Sequence, residues 1–275
     1  MNLMSSKQLK ILALSSMFFD HFVRIFPLSD SIYPLANWCI LHSMEALGTW
    51  LMTSFPHILI YFGRLAAPIF MFCLVQGFLY TKDIRKYILR VFITAILAQI
   101  PYIALDMAEN RLYGIQGNWT EVSMNILFTL SLGLLSLWGY SWFRQKGYKF
   151  LGFVFIILVG FLARLLRFEG GEGYILIIFM LYVLRNSSIQ KKILLFIPIV
   201  LLSRYRLISY TLSNPDMLRV TLLNVLGPYL GLLVTCSYSY KKERKNKLIQ
   251  YFTYAFYPLH MFILAIIGYL RNPLV

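Results

Sequence analysis

The stretch YFGRLAAPIFMFCLVQGFLYTKDIRKYILRVFITAILAQIPYIAL, residues 61–105, decides the fold. It holds two apolar runs, each near the ~20 residues that cross a hydrocarbon core as a helix. Between them lies TKDIRK (81–86), in which Lys82, Arg85 and Lys86 outnumber Asp83. Two lipid-length helices joined by a short basic turn are the repeating unit of a polytopic helical membrane protein.

The same alternation extends along the chain. Basic loops recur at RQKGYK (144–149), RNSSIQKK (185–192) and KKERKNK (241–247), with Lys7 and Lys10 ahead of the first run. The loops between hold the acids Asp30, Asp106, Glu109, Glu121, Glu169, Glu172 and Asp216. Lys and Arg mark cytoplasmic loops, so the N-terminus is expected inside and the acidic loops outside. The pattern predicts an all-α bundle of about nine spans: 9–27, 57–80, 87–105, 125–143, 150–167, 171–185, 192–208, 219–239 and 248–270. The stretch 35–56 is apolar but carries His42 and Glu45. It is expected as an interfacial or re-entrant helix; if it crosses, the count becomes ten.

Composition agrees. The 275 residues are 59% hydrophobic and 13% charged, with a mean hydropathy of +0.67. Soluble domains are roughly 45–50% apolar and 25% charged. No linker composition divides the chain, so residues 1–275 are expected as one domain in the cytoplasmic membrane. No cleavable signal peptide is evident. The net charge of +15 is dealt out among short loops, which argues topology rather than nucleic-acid binding. Cys39, Cys73 and Cys236 show no CxxC spacing, and no metal-ligand cluster is visible.

Ionisable groups within apolar spans are costly and usually face a bundle interior or cavity. In the first span Ser16, Asp20 and Arg24 are four apart and share a helix face, so Arg24 is one partner for Asp20. Arg64, beside Gly63 and ahead of Pro68, reads either as another counter-ion to Asp20 or as a group that holds a carbonyl or carboxylate. His21 points ~100° away from Asp20 around the helix, so Asp20 need not be its partner, and it reads either as a hydrogen-bonded core residue or as a catalyst. His260 lies near mid-span after Pro258, where a break in the helix is expected. Arg164, Arg167, Glu169 and Glu172 read either as a self-neutralising turn or as the rim of an outward-facing site. Asn125 stands as an N-cap at the start of its span. Arg85, Tyr87 and Arg90 stand at the inner face, able to meet phosphates or simply to enforce topology.

Several blocks together resemble the TraX family: LKILALSSMFFDHFVRIFP (9–27), GRLAAPIFMFCLVQGFLYTKDIRKYILRVF (63–92), AQIPY (98–102), NILFTLSLG (125–133) and FYPLH (256–260). The namesake of that family acetylates the amino terminus of F-type conjugative pilin. The resemblance implies an integral membrane acyltransferase with acetyl-CoA as donor and no metal. Its acceptor would be a pilin-like or exported peptide at the outer face, or a surface glycan. It further implies His21 as base, Asp20 tuning the local field, Arg64 near the developing negative charge, and His260 as rival base or acyl relay. Tyr80, Arg85 and Arg90 would meet the phosphates of the donor. Asn125, Arg164 and Glu172 would face the acceptor. Within the enzyme class the nearest alternative is O-acylation of a surface glycan; readings from other classes are proton-coupled transport using Asp20 and His21, and a non-catalytic role in pilus or surface assembly.

Overall fold

The computed structural model describes residues 4–26, 28–239 and 247–271. Twelve helices are described in chain order: α1 (Ser6–Ile25), α2 (Leu28–Leu41), α3 (Glu45–Gly63), α4 (Ala66–Tyr80), α5 (Ile84–Leu112), α6 (Ile126–Gln145), α7 (Lys149–Leu165), α8 (Gly171–Val183), α9 (Ile189–Ser203), α10 (Tyr205–Ser213), α11 (Leu218–Thr235) and α12 (Lys247–Arg271). No named strand occurs among the described residues.

Local chemistry places the helix starts. Ser5 and Gln8 form a reciprocal capping box at α1. Asp83 accepts the backbone N–H of Lys86 at α5, and Ser188 that of Lys191 at α9. Asn125 accepts the N–H of Leu127 at α6, the cap role expected from the sequence.

Each of the nine expected ranges coincides with helix, but the number of full-length crossings does not. By length and composition, five described helical segments suffice to cross a bilayer, with 45–80 counted as one through its break. The bent pair α9–α10, turned by 63°, would make a sixth. The shortfall has physical causes. α1 carries Lys7, Lys10, Asp20 and Arg24, while α7 and α8 run only 17 and 13 residues. α8 is buried on nearly every side, among residues of α4, α6, α7 and α9. A short helix enclosed by others needs no lipid-length surface.

Three further expectations are revised. The stretch 35–56 is not a single helix: it is the end of α2, a turn at His42–Met44 with Ser43 at φ 63°, and the start of α3. α5 runs 29 residues, roughly 43 Å, so Asp106 and Glu109 sit on helix rather than in a loop. α12 passes through Pro258 unbroken; packed neighbours commonly let a membrane helix carry a proline.

Two apolar clusters hold the bundle. The larger joins α4, α6, α7, α8 and α9 around Ile69, Leu134, Ile178 and Phe196. The smaller joins α1, α5 and α12 around Met17, Leu105, Tyr257 and Met261. The three helices of the smaller cluster run parallel. His21 meets His260, and further along Ala108, Ile25 and Gly268 lie together. Exposed residues such as Leu97, Ile100, Phe150, Ile157 and Leu270 form the outer surface, as expected where the solvent is lipid.

The break between α3 and α4 positions the site. A Cβ on Gly63 would lie 2.9 Å from the Cα of Asp20, and one on Gly227 of α11 would lie 2.3 Å from the Cβ of Arg64. Real Cβ atoms do not approach so closely, so both glycines are contact surfaces rather than spacers. Gly227→Ala is expected to destabilise the protein by about 1–3 kcal/mol, the cost of overpacking a filled interior. A fall in melting temperature in detergent would report it. An unchanged value would mean that α11 does not press on the break.

Candidate functional site

α1 distributes its polar residues to three different partners. The hydroxyl of Ser16, wholly buried, donates to the carbonyls of Phe62 (2.5 Å) and Gly63 (2.9 Å). Those carbonyls end α3 at the break, where the Phe62 carbonyl also accepts the N–H of Leu65 (3.2 Å). One turn on, Asp20 faces Arg64 at 3.6 Å. Arg24 does not serve Asp20: it pairs with Asp106 at 3.0 Å and with Glu109, both on α5. The sequence offered Asp20 two partners, and the one from the helix break is the one it has.

His21 is 7% exposed and His260 4%. Nδ1 of His21 lies 2.7 Å from Nε2 of His260, across 239 residues of chain. The rings tilt by only 22° with centroids 4.9 Å apart, so they meet edge to edge in the plane a nitrogen lone pair requires. The other nitrogen of His260, Nδ1, is 2.6 Å from the carbonyl of Phe256. A carbonyl can only accept, so Nδ1 of His260 carries the proton and, in the neutral ring, Nε2 is the acceptor. His21 must then donate from Nδ1, which leaves its Nε2 with a lone pair. The carbonyl orients His260, His260 orients His21, and the chain of donors ends in one nitrogen able to take a proton.

Aromatic groups wall the pair. Phe256 stacks on His260 at 4.9 Å with planes 14° apart, and Phe18 approaches it at 6.4 Å. Both phenylalanines also line a groove of about 310 Å³ between α1 and α12, with Leu14, Ser15, Phe19 and Phe252. The groove therefore runs along these parallel helices, and two of its lining rings, Phe18 and Phe256, are the ones that contact the imidazole of His260. Beside the pair stand Tyr257, 6.3 Å from His21 between ring centroids, and, in the same apolar cluster, the buried Tyr102 of α5. The hydroxyls of Tyr102 and Ser123 are 3.4 Å apart.

Glu169 turns inward to this region. Its N–H donates to the carbonyl of Met124 (2.8 Å), and its own carbonyl accepts from Thr129 (2.6 Å), pinning it over the start of α6. Burial pushes its carboxyl pKa up, and the nearby Asp20 carboxylate adds to the rise. The proton is therefore bound more tightly in the folded state than in the unfolded state. Stability should fall as pH rises from the unfolded value through the folded one, and the full penalty should remain above that window. Glu169→Gln removes the penalty, so its melting temperature should exceed wild type more at pH 8 than at pH 4. An equal difference at both values would contradict the assignment.

The other expected site residues are placed as follows. Asn125, wholly buried, spends its side chain on the α6 cap and on α5, donating to Ala95 O (2.9 Å) and Gln99 Oε1 (2.8 Å). Glu172 pairs with Arg206 of α10 at 3.1 Å. Arg164 is exposed at the end of α7. Arg167, at φ 56°, donates to the carbonyls of Thr120 and Glu121, so the four charges of this turn do not neutralise one another. Tyr80, Arg85 and Arg90 are exposed. Arg85 lies over Trp138 and Arg90 over Tyr87, and among the described residues no carboxylate pairs with either arginine. Arg90 stands twelve residues before Tyr102 on α5, roughly 18 Å along the axis from the histidine region. Among the described residues no three His, Cys, Asp or Glu side chains gather as a metal site.

Sequence reasoning had not singled out Tyr102, Tyr257 or the Asp106–Glu109 pair as site residues. The signals were present: each tyrosine lies beside a proline in the blocks AQIPY and FYPLH, and 102, 106 and 109 share one helix face.

A bundle of apolar helices with imidazoles and ion pairs gathered among parallel spans is an integral membrane protein with an internal polar site. The chain belongs to the TraX protein family, whose match covers residues 5–268. It is also 31% identical over 133 residues to the probable fimbrial assembly protein FimC, serogroup H1, of Dichelobacter nodosus. That alignment covers 48% of this chain and 45% of the relative, so it spans less than half the length of the curated protein it matches. No solved structure matches.

Proposed function

We propose that this protein is an acetyltransferase of the cytoplasmic membrane. It would move an acetyl group from acetyl-CoA to the free amino terminus of a pilin-like or other exported peptide. The observation that carries this reading is the His21–His260 pair, whose hydrogen bonds leave Nε2 of His21 free to accept a proton. Membership of the TraX family supports the acyl-transfer class. The name of the fimbrial relative supports an acceptor concerned with pili.

In this reading the amine nitrogen of the acceptor attacks the thioester carbonyl. The C–N bond forms, the C–S bond breaks, and Nε2 of His21 takes the amine proton and returns it to the departing thiolate. His260 shares the positive charge through Nδ1 of His21 while its own Nδ1–H remains tied to Phe256. The donor's phosphates would lie at the basic ends of the helices, where unpaired Arg85 and Arg90 fit an anion. The groove between α1 and α12 supplies an apolar approach to the pair that excludes water, which would otherwise compete with the amine. Asp20 and Arg64 neutralise each other at the helix break and hold the C-terminal half of α1 in place.

Comparative mass spectrometry of surface peptides from cells with and without the gene tests the proposal. One peptide should lose one acetyl group at its amino terminus in the deletion. If every surface peptide keeps its mass, the proposed acceptor class is wrong. The name of the fimbrial relative also favours a second reading, a non-catalytic assembly factor. Loss of pili with no change in peptide mass would select it.

A further inference from the structure

Resting on the acyl-transfer reading, we propose that the hydroxyl of Tyr257 is the oxyanion donor of this site. As the amine attacks, the C=O π electrons move onto oxygen, and that oxygen needs a donor until the pair returns and expels the thiolate. Arg64, the donor expected from the sequence, is 43% exposed in its side chain and engaged with Asp20. Tyr102 is within reach of Ser123.

Tyr257 differs from both. It is 5% exposed and its hydroxyl oxygen is buried; the backbone N–H of Ile126 is directed at that oxygen, and among the described residues no acceptor meets the O–H itself. Buried phenols usually find a partner, because leaving the O–H unpaired sacrifices the hydrogen bond it makes in water. The ring lies 6.3 Å from that of His21 and 6.0 Å from that of His260. It stands three residues before His260 on α12, so the two share a helix face. The ring belongs to the smaller buried cluster, with Leu14, Met17, Tyr102 and Met261, which holds it in place. A donor whose O–H has no resting acceptor, held beside the base, is complementary to a charge that exists only during reaction.

The test compares full-length wild type, Tyr257→Phe and His21→Asn in proteoliposomes, with acetyl-CoA and a synthetic peptide bearing a free amino terminus. Free thiol release and peptide mass are the readouts. Tyr257→Phe should lower kcat about 100-fold, with KM within about threefold and the melting temperature equal to or above wild type. Retention of more than half the wild-type kcat by Tyr257→Phe, with His21→Asn inactive, would overturn the role while leaving the acyl-transfer reading intact. A lower melting temperature, with activity falling only in proportion to folded protein, would make Tyr257 structural and overturn it too. Wild type that transfers no acetyl group would remove both.

Discussion

His21→Asn should lower acetyl transfer by about 10³-fold or more, within the range a positioned general base supplies. Asparagine preserves size and a donor near the position of Nδ1, so the hydrogen bond to His260 can persist while the proton-accepting nitrogen is gone. His260→Gln should be milder, about tenfold. The glutamine amide oxygen can accept from Nδ1 of His21, but an amide cannot take up the proton that the imidazole shares. His260→Leu leaves Nδ1–H of His21 buried without an acceptor, and should approach the loss seen for His21→Asn. The order His21→Asn below His260→Gln follows from the Nδ1–Nε2 contact at 2.7 Å and the Phe256 carbonyl that fixes its direction. The reverse order, measured by thiol release, would make His260 the base.

The largest expected effect on stability is at Arg24. Its guanidinium joins Asp106 and Glu109, and the three side chains are only 23%, 28% and 26% exposed. Arg24→Met keeps the aliphatic stem and leaves two neighbouring carboxylates without their cation. Removing one side of a buried ion pair costs about 3–5 kcal/mol. The partial exposure puts this site near the lower figure. Adding Asp106→Asn and Glu109→Gln should restore most of the loss, because the cost is that of stranded charge. Thermal unfolding in detergent checks it. A triple variant as unstable as Arg24→Met alone would show that the arginine acts through packing.

The bundle was legible in the sequence because the cost of burying peptide groups in lipid forces long apolar helices with basic turns. The number of crossings was not. A helix such as α8, enclosed by protein, is as apolar as a lipid-facing one while needing only 13 residues. The partner of Asp20 was open for a related reason. Arg24 is four residues along the same helix and locally sufficient, yet a second helix, α5, supplies two acids that claim it. Only the fold brings Arg64 to Asp20, and it does so at a break between α3 and α4 that has no strong sequence mark beyond Gly63 and Pro68.

The histidines were both legible as costly residues, but nothing local joins positions 21 and 260. Their meeting depends on α1 and α12 running parallel, which the alternation of loop charge allows without requiring contact. Tyr257 was the least legible. On an apolar helix a tyrosine reads as core, and its ring is core. That its O–H has no acceptor emerges only when neighbouring helices close around it.

The most direct measurement is the mass of a free-amine peptide after incubation with acetyl-CoA and purified protein in proteoliposomes, run in parallel for wild type and His21→Asn. The expected result is one acetyl group added to the peptide amino terminus by wild type and almost none by the variant, with equal amounts of folded protein. Equal acetylation by both proteins, or none by wild type, would contradict the account.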